Sequence, residues 1–239
     1  MADMTGPKPK VVMTPKDYAG WRTSILGAVT EAIENRLLFD MIGDPKQLDV
    51  LDVGCGEGSL TISLAQSGAR AHGIDISPAM IREATDRASR SGVQAGFSVA
   101  EAGALLFPPQ SFDLILAKTV LCFVREPRPV LDEFARALRP GGVLVIGELG
   151  KQSLWAARRR IHAWFGSALW RRAHFRTPGQ LKDLVANAGL TATELRGAVY
   201  YLHSDFAARM LGPADPWFSR LTTFGAAFLA LKAQKPPAT

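Results

Sequence analysis

Val50-Leu51-Asp52-Val53-Gly54-Cys55-Gly56-Glu57-Gly58 decides how this chain folds. The mostly apolar run from Leu48 to Val53 reads as a buried strand. It breaks at once into three glycines on alternate positions, and helical spacing resumes at Ser59-Leu60-Thr61-Ile62-Ser63-Leu64-Ala65. A strand, a glycine turn and a helix in such close succession form the first half of a βαβ unit, the frame of many nucleotide sites. Gly54 and Gly56 let the backbone turn sharply and approach a ligand, because no Cβ stands in the way. The free N–H groups of the helix that starts near Ser59 point at the same place.

The glycine spacing is not that of a dinucleotide site. That fingerprint needs its third glycine where this chain has Ser59, and Gly58 falls one residue early. Asp52, just before the turn, would repel a pyrophosphate but suits an ammonium or sulfonium group. Asp75 ends a second short strand, Ala71-His72-Gly73-Ile74, where a carboxylate can accept both hydroxyls of a ribose. Its plainer role would be to cap the following helix, but Ser77 is already placed for that. A ribose with a cationic tail describes S-adenosylmethionine better than a nicotinamide dinucleotide. An NAD(P)-dependent oxidoreductase is the rival class, and a non-catalytic S-adenosylmethionine-binding protein the second.

Four segments in order carry a family resemblance. Val50–Gly58 is similar to the first motif of the class I S-adenosylmethionine-dependent methyltransferases, in the broad group that includes ubiquinone- and menaquinone-pathway enzymes. Gly73-Ile74-Asp75-Ile76-Ser77 resembles that family's second-strand acid. Glu101-Ala102, followed by Phe107-Pro108-Pro109-Gln110-Ser111-Phe112-Asp113, resembles its adenine loop and fourth strand. Leu138–Ile146 resembles its fifth strand and the turn before it. One departure stands out: Glu101 occupies a position where the family usually has Asp. With the residue reading above, the resemblance implies a cofactor site of Tyr18, Asp52, Gly54, Cys55, Gly56, Asp75, Ile76, Met80, Glu101, Ala102 and Lys118. It implies methyl transfer to a small-molecule or lipid-like acceptor by in-line displacement.

Composition agrees. With 239 residues, 47% of them hydrophobic and 21% charged, the chain can build a sizeable core. Cys55 and Cys122 alone imply no disulfide framework, and with four histidines they form no metal-ligand pattern. The first residues lack a signal-peptide core and no apolar run is long enough to span a bilayer, so a cytoplasmic protein is expected. The net charge of +6 permits an anionic partner.

Periodicity divides the chain into a polar, disordered lead-in over 1–15 and a single domain over 16–239. Residues 48–150 form the cofactor core of that domain, and 151–222 its substrate-side lid helices and sixth strand. A helix is expected over Lys16–Ile42, with strands at 48–53, 70–74, 95–99, 112–117, 142–148, 191–201 and Gly225–Ala233. Helices are expected at 59–67, 78–91, 127–138, 151–171 and 178–188, with another helical segment before the last strand. The pattern predicts a doubly wound, mostly parallel, seven-stranded α/β sheet of Rossmann-like methyltransferase type, with helices on both faces. The resemblance adds one antiparallel strand, placed at Gly225–Ala233.

Lys118, Glu148, His162 and His203 are the catalytic candidates. None is a histidine at the end of the fourth strand, so alignment of the acceptor is expected to matter more than any single base. Lys118 either meets cofactor or substrate or is solvated, and Glu148 either meets substrate or serves entry to the next helix. Cys122 reads as a structural thiol. Tyr18 and Trp21 could close the site from the N-terminal helix, and Trp21 could equally pack in the core. Between Glu148 and Asp183 there is no acid, while eight Lys or Arg residues interleave with Leu154, Trp155, Ile161, Trp164, Phe165, Leu169 and Trp170. Residues 151–176 therefore read either as a lid or as a helix lying on an anionic membrane. Nucleic acid is disfavoured, because strand four ends Ala117-Lys118-Thr119-Val120 without the proline-aromatic motif of enzymes that methylate nucleic-acid amino groups.

Overall fold

The computed structural model describes residues 20–237; the lead-in expected over 1–15, and Tyr18, lie outside the described residues. The strands are β1 (Asp49–Val53), β2 (Arg70–Asp75), β3 (Gly96–Val99), β4 (Phe112–Lys118), β5 (Leu138–Leu149), β6 (Thr191–Ala198) and β7 (Phe228–Gln234). They form one sheet in the order β3-β2-β1-β4-β5-β7-β6. Neighbours from β3 through β5 are parallel. Strand β7 runs antiparallel to both β5 and β6, as expected for the last strand. It starts at Phe228 rather than Gly225, because Gly225 turns the chain at φ +84°.

Helices α1 (Ile25–Ile42), α2 (Ser59–Gln66), α3 (Pro78–Arg90), α4 (Pro127–Ala137) and α5 (Leu154–Trp164) come next in chain order. They are followed by α6 (Ala168–Arg172), α7 (Pro178–Asn187), α8 (Asp205–Leu211) and α9 (Asp215–Leu221). Side chains alternate across the central strands, so one strand feeds two apolar layers. On β4, Ile115 and Ala117 join Leu131 and Phe134 of α4 and Leu181 and Val185 of α7. Leu114 and Leu116 face the opposite way, onto Leu37 and Leu38 of α1 and Leu60 and Leu64 of α2. Strand β5 divides likewise, with Leu144 and Ile146 in the first layer and Val145 in the second. Both faces of the sheet are thus covered, and β4 is apolar nearly throughout.

Strand β5 begins at Leu138, four residues before the 142–148 expected, β6 ends at Ala198 rather than at 201, and two helices differ from the periodicity as well. The helix expected from Lys16 is interrupted at Ser24, whose extended backbone (φ −73°, ψ 149°) lets its hydroxyl accept the Gly27 N–H and start α1 afresh. The helix expected over 151–171 is two: Gly166, at φ +110°, ends α5 and turns the chain into α6. No helix among the described residues is long and apolar enough to cross a membrane.

Candidate functional site

The order of the sheet reverses between β1 and β4. Strand β1 leads through α2 to β2 on one side, while β4 pairs with it on the other. A crevice opens at the carboxyl ends of strands at such a switch point. Here it is a cavity of about 770 Å³, lined by Asp52, Gly54, Cys55, Gly56, Asp75, Ile76, Met80, Glu101, Ala102 and Lys118. All the cofactor residues expected from the sequence therefore converge on one space, apart from Tyr18, which is not described.

The turn after β1 is fixed from both sides. Gly54 has φ +69°, and a Cβ there would stand 2.5 Å from a methyl of Val120. The Cys55 N–H donates to the Ile74 carbonyl at 2.9 Å, tying the turn to β2. The Asp75 carboxylate accepts the Gly56 N–H at 3.0 Å through Oδ2 and the Ser77 N–H at 2.8 Å through Oδ1. The Ser77 hydroxyl in turn accepts the Met80 N–H, so the capping role foreseen for Ser77 is filled. Asp75 is thus an organiser of the turn. Each of its oxygens keeps a further lone pair for a ligand.

Asp52 lies one step deeper. It is 2% exposed, and its Oδ2 accepts the Thr61 hydroxyl at 2.6 Å. Burial pushes its carboxyl up to about 7, against the opposing pull of the Thr61 hydrogen bond; the nearby Asp75 charge raises it further. A cation brought beside Asp52 would restore its negative form. Burial likewise pushes the Cys55 thiol well up, which leaves it a small turn residue and not a nucleophile.

Lys118 ends β4 at the cavity wall, yet it is neither free nor solvated. Its ammonium group pairs with Glu34 at 3.0 Å and donates to Asn35 Oδ1 at 2.8 Å, both on α1. Glu148 is not in the lining. It is fully buried, accepts the Leu121 N–H at 2.8 Å, and stands 3.7 Å from Arg176, with burial lifting its carboxyl to about 7. Cys122 beside it is fully buried, its thiol also raised by burial, as a structural thiol should be. His162 is exposed on α5, and His203 lies tilted against Trp155, ring centroids 4.4 Å apart, and hydrogen-bonds with Arg158. Neither histidine lines the cavity.

Helices α5 and α6 form an excursion that leaves the sheet at Gly150 and returns beside it at Arg176. The Arg176 N–H donates to the Leu149 carbonyl, and the Lys151 N–H donates to that of Arg176. Leu169 and Arg172 of this excursion line the cavity. Trp155 belongs to the core, donating its indole N–H to the Tyr201 carbonyl at 2.7 Å. Trp21 packs edge-on against Trp155 and is absent from the lining, so its role is core packing.

Residues 51–146 match the methyltransferase domain family. The chain is 30% identical over 158 residues to the ubiquinone biosynthesis O-methyltransferase of Cereibacter sphaeroides; the match covers 64% of each chain. It is also 30% identical over 163 residues to the ubiquinone biosynthesis O-methyltransferase of Xanthomonas axonopodis, with 66% of this chain and 68% of that one covered. This chain belongs to the S-adenosylmethionine-dependent methyltransferases. A solved S-adenosylmethionine-dependent methyltransferase from Thermotoga maritima shares the methyltransferase fold at TM-score 0.70 and 20% identity, over 92% of this chain and 95% of that one.

The donor of this methyltransferase family fits the cavity on physical grounds. About 770 Å³ lies within the usual range for a small-ligand site. Two carboxylates stand at the turn for hydroxyls and a cationic tail, and Ile76, Met80 and Ala102 offer an apolar wall for a base. Glu57 lies in the decisive stretch, yet nothing in its spacing marks it as a site residue. Glu57 lines the cavity and binds Arg22 ahead of α1, Arg87 of α3 and the Ser59 hydroxyl. Glu31 and Arg172 also reach the lining unforeseen. Only tertiary contact brings them there.

Proposed function

We propose that this methyltransferase moves a methyl group from S-adenosylmethionine to a hydroxyl oxygen of a small, lipid-like acceptor. The observation that carries the reading is the cavity at the β1–β4 switch point, where Asp52 and Asp75 flank a glycine turn. Oxygen is favoured by the two O-methyltransferase relatives. When bound, S-adenosylmethionine supplies an electrophilic methyl: its S–CH3 bond breaks as the O–CH3 bond forms, leaving a neutral thioether and releasing the hydroxyl proton to solvent.

The residues divide the remaining work. Asp52 offers negative charge to a cationic ligand and Asp75 accepts ribose hydroxyls, while Gly54, Cys55 and Gly56 let the backbone close in beneath. Ile76, Met80 and Ala102 would hold the adenine by apolar contact, and Glu101 in the same lining would offer it a hydrogen-bond acceptor. Lys118, steadied by Glu34 and Asn35, marks where the acceptor end of the cavity begins. Leu169 and Arg172, which also line the cavity, are assigned to that end as its cover. Alignment of this kind can supply roughly 7–11 kcal/mol of the barrier without a dedicated base.

We assign residues 151–176 both roles foreseen for them: an inner lid face and an outer face against an anionic membrane. A cytoplasmic enzyme working at that surface accords with the composition. The test follows labelled methyl from S-adenosylmethionine into an ortho-dihydroxy aromatic, with and without an alkyl tail, beside calorimetry with S-adenosylmethionine and NAD. Label in the aromatic ether and selective binding of S-adenosylmethionine are expected. Equal binding of NAD, or binding of S-adenosylmethionine without turnover on any fraction of cell extract, would move the reading to one of its two rivals.

A further inference from the structure

Three helices carry large apolar side chains that nothing else among the described residues covers. On α5 and its C-cap, Leu154, Ile161 and Phe165 recur at helical spacing on one face with Arg158, and Trp164 stands beside them 86% exposed. Phe206 and Met210 on α8, and Trp217 and Leu221 on α9, repeat the pattern one turn apart. Phe224 follows, and every one of these side chains is more than half exposed.

The helices are neighbours. Residues 201–203, which lead into α8, lie against α5: the Trp155 indole donates to the Tyr201 carbonyl, and His203 meets both Trp155 and Arg158. A short turn, Gly212–Ala214, joins α8 directly to α9. Soluble monomers rarely leave so many large apolar side chains open on helices that adjoin one another.

Charge decides what covers it. Lys151, Arg158, Arg160 and Arg171 are exposed around α5 and α6, and Arg209 and Arg220 on α8 and α9. The two acids near α8 and α9 are both engaged. Asp205 accepts the Leu26 N–H at 3.0 Å, and the buried Asp215 accepts the N–H groups of Val199 and Tyr200. An apolar face ringed by cations repels its own copy and suits an anionic bilayer.

We infer that α5, α8 and α9 with Phe224 form one face that seats on an anionic lipid bilayer, and that the acceptor enters from the lipid side beneath α5 and α6. This rests on the proposed function and extends its membrane contact from 151–176 to a second pair of helices. The inner side of the same excursion supplies Leu169 and Arg172 to the cavity, so docking outside and lining inside belong to one element.

The test uses the full chain with vesicles of phosphatidylcholine alone or mixed with phosphatidylglycerol, read by co-sedimentation and tryptophan emission. Binding to the anionic vesicles should be at least about tenfold tighter and should weaken with salt. Trp164→Phe and Trp217→Phe should each remove part of the blue shift on binding. Combined Phe206→Ser, Trp217→Ser and Leu221→Ser should lower vesicle affinity about tenfold or more while calorimetric affinity for S-adenosylmethionine stays at the wild-type level. Should the triple variant fail to fold, the conservative Trp217→Phe emission still decides. An unchanged blue shift in Trp217→Phe would overturn the inference and leave the 151–176 contact standing. A stable dimer in sedimentation equilibrium that binds no vesicle would overturn it in favour of a second copy. Vesicle binding with no affinity for S-adenosylmethionine would support this face and sink the proposed activity instead.

Discussion

At the scale of single residues, the buried carboxyls set the pH behaviour. Asp52 holds its proton up to about pH 7 because burial disfavours its charge. A cationic ligand beside it must be met by the charged form, so binding should release a proton. Affinity for S-adenosylmethionine should therefore fall several-fold between about pH 8 and pH 6, and Asp52→Asn should flatten that dependence. Calorimetry in two buffers of different ionisation heat checks it; identical heats in both would refute the proton release. Asp75 combines two tasks, since it already accepts two backbone N–H groups. Asp75→Ala should cost on the order of a hundredfold or more in cofactor affinity, at about 1.5–3 kcal/mol for each charge-assisted hydrogen bond lost. Excess cofactor should restore part of the turnover. No histidine lines the cavity among the described residues. Lys118→Ala, His162→Ala and His203→Ala should each lower turnover less than about a thousandfold. A histidine variant without turnover but with normal cofactor binding would identify a base and end the alignment view.

At the scale of elements, the return of the α5–α6 excursion is pinned by an unusual buried pair. Glu148 Oε2 and Arg176 Nη1 have no hydrogen-bond partner, and 3.7 Å separates the two groups. Glu148 keeps its proton to about pH 7 when folded. The folded state thus binds more protons than the unfolded chain from the ordinary glutamate range up to about pH 7, and stability must fall as pH rises through that window. Glu148→Gln retains an acceptor for the Leu121 N–H and removes the titration. Its stability should vary less between about pH 5 and pH 8 than that of the wild type, by roughly 1–3 kcal/mol in urea unfolding. Equal pH profiles would show that Glu148 is charged throughout. Glu57 joins three elements in the same manner, holding Arg22, Arg87 and Ser59 around the glycine turn. Glu57→Ala leaves two arginines without their shared carboxylate. It should destabilise the fold by about 1–3 kcal/mol and quicken cofactor release in stopped-flow displacement.

At the scale of the whole molecule, the sheet fixes the cavity while the excursion and the last helices face outward. If the acceptor is delivered through lipid, the apparent KM for a tailed acceptor should fall by about tenfold when it is embedded in anionic vesicles, with a tailless one unaffected. Steady-state assays on both acceptors check this, and equal KM values would argue for delivery through water. The sheet and the glycine turn with Asp75 beside it were legible in the sequence because their physics is local. A strand buried on both faces reads as an apolar run, and a turn at positive φ favours glycine, so Val50–Gly58, Asp75 and the strands up to Ile146 announced themselves. The ends of elements were less legible: Ser24 and Gly166 each act at a single position, which a periodic pattern averages away. What only the tertiary structure decided concerns partners distant in the chain. Lys118 could not be seen as held by Glu34, 84 positions earlier, nor Glu57 as the meeting point of Arg22 and Arg87. Glu148, a plausible site residue by its strand end, proved sealed among Leu121, Cys122 and Arg176. Pattern along a chain records which face of an element is apolar. Which charges meet across the fold depends on packing angles that leave no periodic trace.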